Sequence, residues 1–268
     1  MRRIAFVLAL GLTLVVAAAA VRTVGHGRAA NSHTDAARAL ASVAAGLPRP
    51  ERPAFVVGTP MPLKPGETRA RFAPVIRHVA ARAQPSAHAR LVADLGLLTE
   101  ERTTNLVLVL GQQTRANADW AHVRLPVLPN NLTAWVPRSA LGGYRFVHTR
   151  LLVDREHFQA VLYYDRRPIF RAPVGVGRPE SPTPAGHFYI REKLSGFGDP
   201  FYGPVAFGTS ARSEILTDWP GGGFIGIHGT NEPQLIPGRI SHGCIRLRNA
   251  DILRLSRLMP VGTPLTVK

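Results

Sequence analysis

One cysteine and two histidines lie within 17 residues near the carboxyl end of the chain: His228, His242 and Cys244. A cysteine attacks a carbonyl carbon as the thiolate, and a neighbouring base or cation helps it to lose its proton. A histidine can serve as both. Arg246 and Arg248 follow the cysteine, and their charges favour a thiolate or a bound substrate carboxylate. The pattern predicts acyl transfer through a thioester.

Glycines adjoin these side chains, since Gly229 follows His228 and Gly243 precedes Cys244. A residue without a Cβ lets the backbone come close to a reacting carbonyl group. Amides freed beside these glycines can then donate to the oxygen on which negative charge develops. We therefore expect an oxyanion hole at this turn.

Two other interpretations fit the same three side chains. Two histidines and a cysteine can ligate zinc, with water in the fourth position. Alternatively, Cys244 is a small buried hydrophobic residue and the histidines are hydrogen-bonded scaffold residues. Because the chain has one cysteine, an intramolecular disulfide, a CxxC redox pair and a cysteine-rich zinc module are excluded.

The composition indicates a folded and strongly basic protein. Of 268 residues, 45% are hydrophobic and 19% are charged, which supports a real core and argues against global disorder. Lys and Arg number 33 against 17 Asp and Glu, a formal net charge of +16. Such an excess favours contact with a polyanion such as nucleic acid, anionic lipid or an acidic wall polymer.

The amino terminus predicts export. Met1-Arg2-Arg3 is followed by an uncharged run of 18 residues from Ile4 to Val21. Residues 1–21 therefore form either an export signal cleaved near Ala20 or a membrane anchor, because the run is near the minimum length for crossing a bilayer. Either places the body in the periplasm or cell wall, with no nucleic acid as partner. An idle thiol is unfavourable there, so we expect the cysteine to be used.

Two regions precede the chemical segment. Residues 22–66 are rich in Ala and Pro, which predicts an extended linker. Residues 67–143 alternate short apolar runs with turn signals, a pattern typical of a small β-barrel. The segments Asp119–Val123 and Ala134–Val136 each carry a tryptophan and resemble the closing strands of bacterial SH3-like domains.

Residues 144–268 predict longer strands and one clear short helix. Charged turns separate three apolar runs, which indicates a meander of hairpins (150–154, 158–164 and 168–174). Ile252 and Leu255 recur at helical spacing within residues 249–258, and Pro260 ends that helix. The fold class is therefore mostly β.

The chemical segment resembles the signature of L,D-transpeptidases with a YkuD-type catalytic domain. The resemblance runs from about Arg150 to Lys268. Its most specific residues are Ile227-His-Gly-Thr230 and Ser241-His-Gly-Cys-Ile-Arg-Leu-Arg-Asn249. Further matches are Val174-Gly-Val-Gly177, Ser181-Pro-Thr-Pro-Ala-Gly186-His-Phe188, Asn249-Ala-Asp251 and Val261-Gly-Thr-Pro264.

The resemblance implies a β-sandwich catalytic domain over residues 144–268, acting on peptidoglycan stem peptides without a metal or cofactor. It implies Cys244 as nucleophile, His228 as proton donor and acceptor, His242 as a site-shaping residue and Gly243 as an oxyanion backbone donor. We expect substrate contacts from five more residues: Arg246, Gly229, Thr230, Ser241 and Asn249. The oligomeric state is left open.

The acceptor also stays open. A stem-peptide amine gives a cross-link, water gives an L,D-carboxypeptidase, and a protein amine gives an enzyme that anchors proteins to the wall. Outside the enzymes, the alternative is a non-catalytic wall-binding protein.

Overall fold

The computed structural model describes four stretches of the chain: residues 49–50, 69–196, 198–216 and 223–268. All of them fall in one compact unit, Gly46–Lys268. The predicted export signal or anchor lies outside the described residues, and so does the predicted linker apart from residues 49–50. Within the described part of the chain, no helix has the length and apolar character needed to cross a membrane.

A two-residue strand, β1 (Arg49–Pro50), comes first in the chain. It lies inside the predicted linker and pairs antiparallel with Ser195 and Leu194 of the larger, carboxyl-terminal sheet. This part of the predicted linker therefore contacts the body of the protein.

The next seven strands form an amino-terminal sheet. They are β2 (Ala70–Pro74), β3 (Val79–Arg82), β4 (Leu91–Leu95), β5 (Leu106–Arg115), β6 (Ala118–Arg124), β7 (Thr133–Pro137) and β8 (Arg145–Val147). Their order in space is β4-β3-β7-β6-β5-β2-β8. Alternate residues of β3 and β7 are buried, as expected for strands with one face on a core. The short strands are confirmed, whereas the SH3-like assignment stays a prediction.

The strand β8 lies just after the predicted domain boundary. Residues 145–147 were expected in the second domain, yet β8 pairs with β2 of the amino-terminal sheet. The sequence analysis predicted no strand at these residues, and the partner of β8 is set by the tertiary packing.

The remaining strands form the larger sheet. They are β9 (Thr149–Asp154), β10 (Gln159–Tyr164), β11 (Arg167–Pro173), β12 (Gly175–Gly177), β13 (Gly186–Ser195), β14 (Val205–Arg212), β15 (Phe224–His228), β16 (Gly238–Ser241), β17 (Ile245–Arg246) and β18 (Pro264–Val267). Their order is β11-β10-β9-β18-β13-β14-β15-β17-β12-β16. The predicted meander is confirmed by the antiparallel pairing of β9, β10 and β11.

The helix α1 spans Asn249–Leu258, the residues predicted for it. Its buried Ile252 and Leu255 join one apolar core with side chains from both ends of the large sheet, among them Leu162 of β10 and Ile245 of β17. Because the two ends share a core, the sheet folds back over itself, as a sandwich requires. The mostly β fold is confirmed.

The two sheets also share a core. Tyr189 of β13 is fully buried among residues of the amino-terminal sheet, and its hydroxyl donates to the Leu106 carbonyl at 2.9 Å. Phe72 of β2 fills the space where a Cβ on Gly262 would stand. Gly262 has φ 83°, so a side chain there would be strained as well as obstructed.

An acidic pair is buried at the same junction. Glu192 of β13 is 4% exposed and accepts hydrogen bonds from Thr99 Oγ1 at 3.0 Å and Thr103 Oγ1 at 2.5 Å. Glu101 lies beside it, and burial together with the Glu192 charge raises the pKa of Glu101 to about 7. The buried Arg191 lowers this pKa by a smaller amount. Glu101 therefore keeps its proton up to near neutral pH.

We expect stability to fall as pH rises from 4.5 toward 7, because folded Glu101 keeps a proton there that the unfolded chain has released. Glu101→Gln supplies a permanent donor to Glu192 and removes this titration. Its Tm should exceed that of the wild type at pH 8 and match it near pH 5. A gain of about 1 kcal/mol in the free energy of unfolding corresponds to a rise in Tm of roughly 2–4 °C.

The matched control is Glu100→Gln, which removes the 3.0 Å ion pair with Arg191 and keeps the acidic pair. It should lower Tm yet retain the pH slope of the wild type. The measurement is thermal unfolding across this pH range. If Tm of Glu101→Gln depended on pH with the same slope as the wild type, the prediction would be contradicted.

Candidate active site

The cysteine and the first histidine meet because β15 and β17 run side by side in parallel. The register pairs Ile227 with Ile245 and His228 with Arg246. Cys244, one residue before β17, therefore lies at the level of Gly226. The Gly226 amide donates to Cys244 Sγ at 3.3 Å.

Gly226 leaves a gap that both reactive side chains face. A Cβ on this residue would stand 3.6 Å from His228 Cδ2 and 3.7 Å from Cys244 Sγ. The thiol and the imidazole thus border the same small space. Gly226 was not among the predicted site residues; its only signal in the sequence is that a glycine interrupts the apolar run before His228.

His228 is 2% exposed, and its hydrogen bonding fixes the position of its proton. Nδ1 lies 2.6 Å from the Gly229 carbonyl oxygen, which can only accept, so Nδ1 carries the hydrogen and neutral Nε2 does not. Burial lowers the pKa of His228 to about 4, and the Arg246 charge contributes in the same direction. The ring is therefore neutral at pH 7, with Nε2 able to accept a proton.

Two aromatic residues that sequence analysis did not single out pack on this ring. Phe201 and Tyr202 lie in a short 3-10 helix, with ring centroids 5.9 and 5.1 Å from that of His228. The Phe201 amide donates to Asp199 Oδ1 at 2.8 Å, which caps the 3-10 helix. The aromatic contacts explain how a polar ring comes to be so fully buried.

Cys244 is half-buried, and burial raises the pKa of its thiol. The Gly226 hydrogen bond and the Arg246 charge lower this pKa by smaller amounts. Arg246 favours the thiolate as expected, but burial outweighs it. Arg248 is exposed and donates to the Ile236 carbonyl at 2.9 Å. In the resting protein the thiol is protonated.

Hydroxyl groups from the segment between β12 and β13 hold the turn that carries the cysteine. Ser181 Oγ donates to the His242 carbonyl at 2.8 Å, and Thr183 Oγ1 donates to the Gly243 carbonyl at 2.7 Å. The His242 side chain is exposed and lines the cleft beside Cys244. This position is compatible with its predicted shaping role.

Ser241 fixes the same turn from within. Its hydroxyl donates to the Cys244 carbonyl at 2.5 Å and accepts from the Gly243 amide at 3.1 Å. Gly243 has φ 119°, and a Cβ there would stand 2.9 Å from Ile225 Cδ1, so the turn requires glycine. Both the Ser241 hydroxyl and the Gly243 amide are engaged inside the turn. The substrate contact predicted for Ser241 and the oxyanion role predicted for Gly243 stay predictions.

Three other predicted substrate contacts instead anchor the segment after His228. The Thr230 amide donates to Asn249 Oδ1 at 2.9 Å. A Cβ on Gly229 would stand 2.3 Å from that oxygen, and one on Gly203 would stand 2.7 Å from Gly229 Cα. The side chain of Asn249, the first residue of α1, therefore occupies space that is open because residues 203 and 229 are glycines. Gly229, Thr230 and Asn249 do not line the cleft in this structure.

Arg246 lies in the cleft wall and is 4% exposed. One guanidinium nitrogen donates to Glu232 Oε2 at 3.2 Å, and the group lies 4.3 Å above the centre of the Phe201 ring. Its buried Nε has no hydrogen-bond partner. The side chain braces the loop and also presents charge to the cleft.

The opposite wall of the cleft comes from the end of β14 and the start of β15, including Ser213, Leu216 and Phe224. No motif in the sequence pointed to these residues. Among the described residues, no three His, Cys, Asp or Glu side chains are placed to hold a metal ion. His228, His242 and Cys244 do not form the zinc site considered as an alternative.

Comparison with known proteins places this cleft in a recognised domain. Residues 148–267 match the YkuD family model of the L,D-transpeptidase catalytic domain, so the resemblance predicted from the motifs is confirmed over this stretch. The Bacillus subtilis protein YkuD, named as an L,D-transpeptidase, is 36% identical over 95 residues, covering 35% of this chain and 51% of that protein. Its Bacillus licheniformis counterpart is 34% identical over 106 residues, covering 40% and 57%. The chain spans about half the length of these curated relatives.

Among solved structures, the catalytic domain of the E. faecium L,D-transpeptidase is 28% identical, with a TM-score of 0.33. That match covers 45% of this chain and 96% of the other. The family model begins after the amino-terminal sheet, whose SH3-like character it does not address.

We expect iodoacetamide to alkylate Cys244, the only thiol, with an apparent pKa above the ordinary value of 9.0, because burial opposes the thiolate. Arg246→Gln should shift the profile further toward alkaline pH. The control Arg248→Gln should leave it unchanged. The rate of alkylation at each pH is measured by mass spectrometry. An inflection of the wild-type rate below pH 7 would show a resting thiolate and contradict this prediction.

Proposed function

We propose that this protein, whose residues 148–267 match the L,D-transpeptidase catalytic domain, joins peptidoglycan stem peptides outside the cytoplasm through a thioester on Cys244. The observation that carries the proposal is the gap at Gly226, which the thiol and the imidazole both border. A carbonyl carbon in this gap would have a nucleophile and a base within reach.

The first half-reaction begins with the Cys244 thiol and the His228 imidazole both uncharged. As Cys244 Sγ bonds to the carbonyl carbon at the L-centre of the donor diamino acid, its proton passes to His228 Nε2. The Gly229 carbonyl, which accepts from Nδ1, stabilises the imidazolium that forms. Because this charge exists only during the reaction, its stabilisation lowers the barrier.

The negative charge on the substrate oxygen needs donors. The Gly243 amide is already bonded to Ser241 Oγ, which supports the neighbouring Cys244 amide as the main oxyanion donor. The tetrahedral intermediate collapses when the bond to the terminal D-Ala breaks, and the leaving amine takes the proton from His228. A thioester and neutral His228 remain.

The second half-reaction uses the same groups in reverse. An acceptor amine attacks the thioester carbon and passes a proton to Nε2, which returns it to the departing sulfur. Water in place of the amine gives a carboxypeptidase, and a protein amine gives an anchoring enzyme. All three share the first half-reaction.

Arg246 has two candidate roles in this scheme. The buried guanidinium in the cleft wall could bind the donor's terminal carboxylate. Its existing contacts with Glu232 and Phe201 favour the other role, in which it holds the loop after His228. We therefore propose bracing as its main contribution.

The test of function is product analysis with a purified stem tetrapeptide. We expect D-Ala release, a transient mass increase on the protein and a cross-linked dimer. Cys244→Ser should abolish all three, since a hydroxyl is a far weaker nucleophile near neutral pH.

Other results of this product analysis would identify the alternative functions. Tripeptide without dimer indicates a carboxypeptidase, and binding without any product indicates a wall-binding protein. Activity lost with EDTA and restored by zinc would contradict the thioester mechanism.

Gly226→Ala tests the gap directly. The added methyl group meets its neighbours at 3.6 Å or more, so the fold should tolerate it, with Tm within a few degrees of the wild type. It would, however, occupy the space proposed for the reacting carbonyl, and kcat/KM should fall by about tenfold to a hundredfold.

The control is Gly111→Ala, because a Cβ on this strand glycine meets nothing within 4 Å. It should leave both turnover and Tm unchanged. Wild-type turnover by Gly226→Ala would mean that the reaction does not use this space.

A further inference from the structure

A turn of the amino-terminal sheet reaches the wall of the cleft. We infer that Asn130, which lies between β6 and β7 and outside the catalytic-domain match, is a positioning residue that sets this wall for substrate binding. The kinetic part of this inference rests on the proposed function.

The Asn130 side chain pairs with backbone as a neighbouring strand would. Its Oδ1 accepts from the Arg212 amide at 2.9 Å, and its Nδ2 donates to the Arg212 carbonyl at 2.8 Å. Nδ2 also lies 3.2 Å from Glu214 Oε1. One side chain thus satisfies both backbone groups of the last residue of β14.

The end of β14 needs such a partner because its pairing with β13 stops short. The last paired residues on this side are Ile190 and Thr209. Just beyond them, the Ser210 hydroxyl accepts from the Tyr189 amide at 3.1 Å, and then Asn130 meets Arg212. Side-chain hydrogen bonds therefore replace the backbone hydrogen bonds where β14 diverges from β13.

Arg212 is coupled to the cleft in two ways. It pairs across the sheet with Phe224, and its guanidinium lies 4.5 Å above the centre of that ring. The next residue, Ser213, donates its amide to the Gly223 carbonyl at 2.8 Å. Ser213, Gly223 and Phe224 all line the cleft, so a shift of the Arg212 backbone would move this wall.

The adjacent residue offers a matched control. Asn131 Oδ1 accepts from the His187 amide at 2.6 Å and occupies the space where a Cβ on Gly186 would stand. It joins the same turn to the start of β13, which does not line the cleft. Asn130 and Asn131 therefore make similar contacts between the sheets, but only Asn130 holds the wall.

The experiment compares Asn130→Ala with Asn131→Ala in the full exported protein. For Asn130→Ala we expect KM for the stem tetrapeptide to rise about fivefold to tenfold, the scale of losing two backbone hydrogen bonds. The kcat and the rate of Cys244 alkylation should stay within about twofold, because Gly226 and His228 are not touched. Asn131→Ala should leave KM unchanged.

Amide hydrogen exchange provides a readout that needs no substrate. Residues 212–216 and 223–225 should exchange faster in Asn130→Ala than in the wild type and in Asn131→Ala. If Asn130→Ala does not fold, Asn130→Asp replaces it. This variant keeps the acceptor for the Arg212 amide, loses the donor and repels Glu214, so the same increases are expected.

Equal KM or equal exchange in the two alanine variants would overturn the inference, since Asn130 would then be only one of several contacts between the sheets. If the wild type processes no stem peptide, the proposed function fails. The exchange comparison would still decide whether Asn130 holds the wall.

Discussion

The parallel register between β15 and β17 is the constraint on which the candidate site depends. It pairs Ile227 with Ile245, and so brings Gly226 and His228 beside the turn that ends in Cys244. A slip of one residue would turn the buried Ile225, Ile227 and Ile245 toward the wrong face. The apolar core therefore fixes the geometry of the polar groups, and the thiol and imidazole need no direct bond to each other to be held in place.

Burial in that core also sets the electrostatics. A charged imidazole and a thiolate would each lose hydration, so the raised thiol pKa and the lowered histidine pKa both favour the neutral pair at rest. The Gly229 carbonyl keeps His228 in the tautomer that can accept a proton. Both side chains are therefore neutral at rest, as the proposed proton transfer during attack requires, and the hydroxyls of Ser181, Thr183 and Ser241 hold the cysteine turn.

The amino-terminal sheet is joined to the larger sheet by more than chain connectivity. Tyr189 and Phe72 share an apolar core, Glu192 accepts hydrogen bonds from two threonines, and Asn130 completes β14. An independent wall-binding module would leave these groups exposed or unpaired when it moved. The contacts fit a sheet that supports the larger sheet instead of a mobile attachment, and they are the basis on which we infer a role for Asn130 in substrate binding.

The mostly β fold, the resemblance to the L,D-transpeptidase catalytic domain and most of the elements could be predicted from the sequence. Glycine-flanked cysteine and histidine motifs, the period of α1 and the alternating runs of the strands are local patterns, so they are readable without contacts. The hairpin at Ala116 and Asn117, both with positive φ, was less visible because alanine seldom marks such a turn. The tertiary structure was needed to show that Gly229, Thr230 and Asn249 anchor a loop, that Gly226 opens a gap, that β8 joins the first sheet and that Asn130 bonds to the end of β14. Each of these depends on which distant strand lies alongside, and strand pairing is set by packing over the whole sheet, not by neighbouring residues.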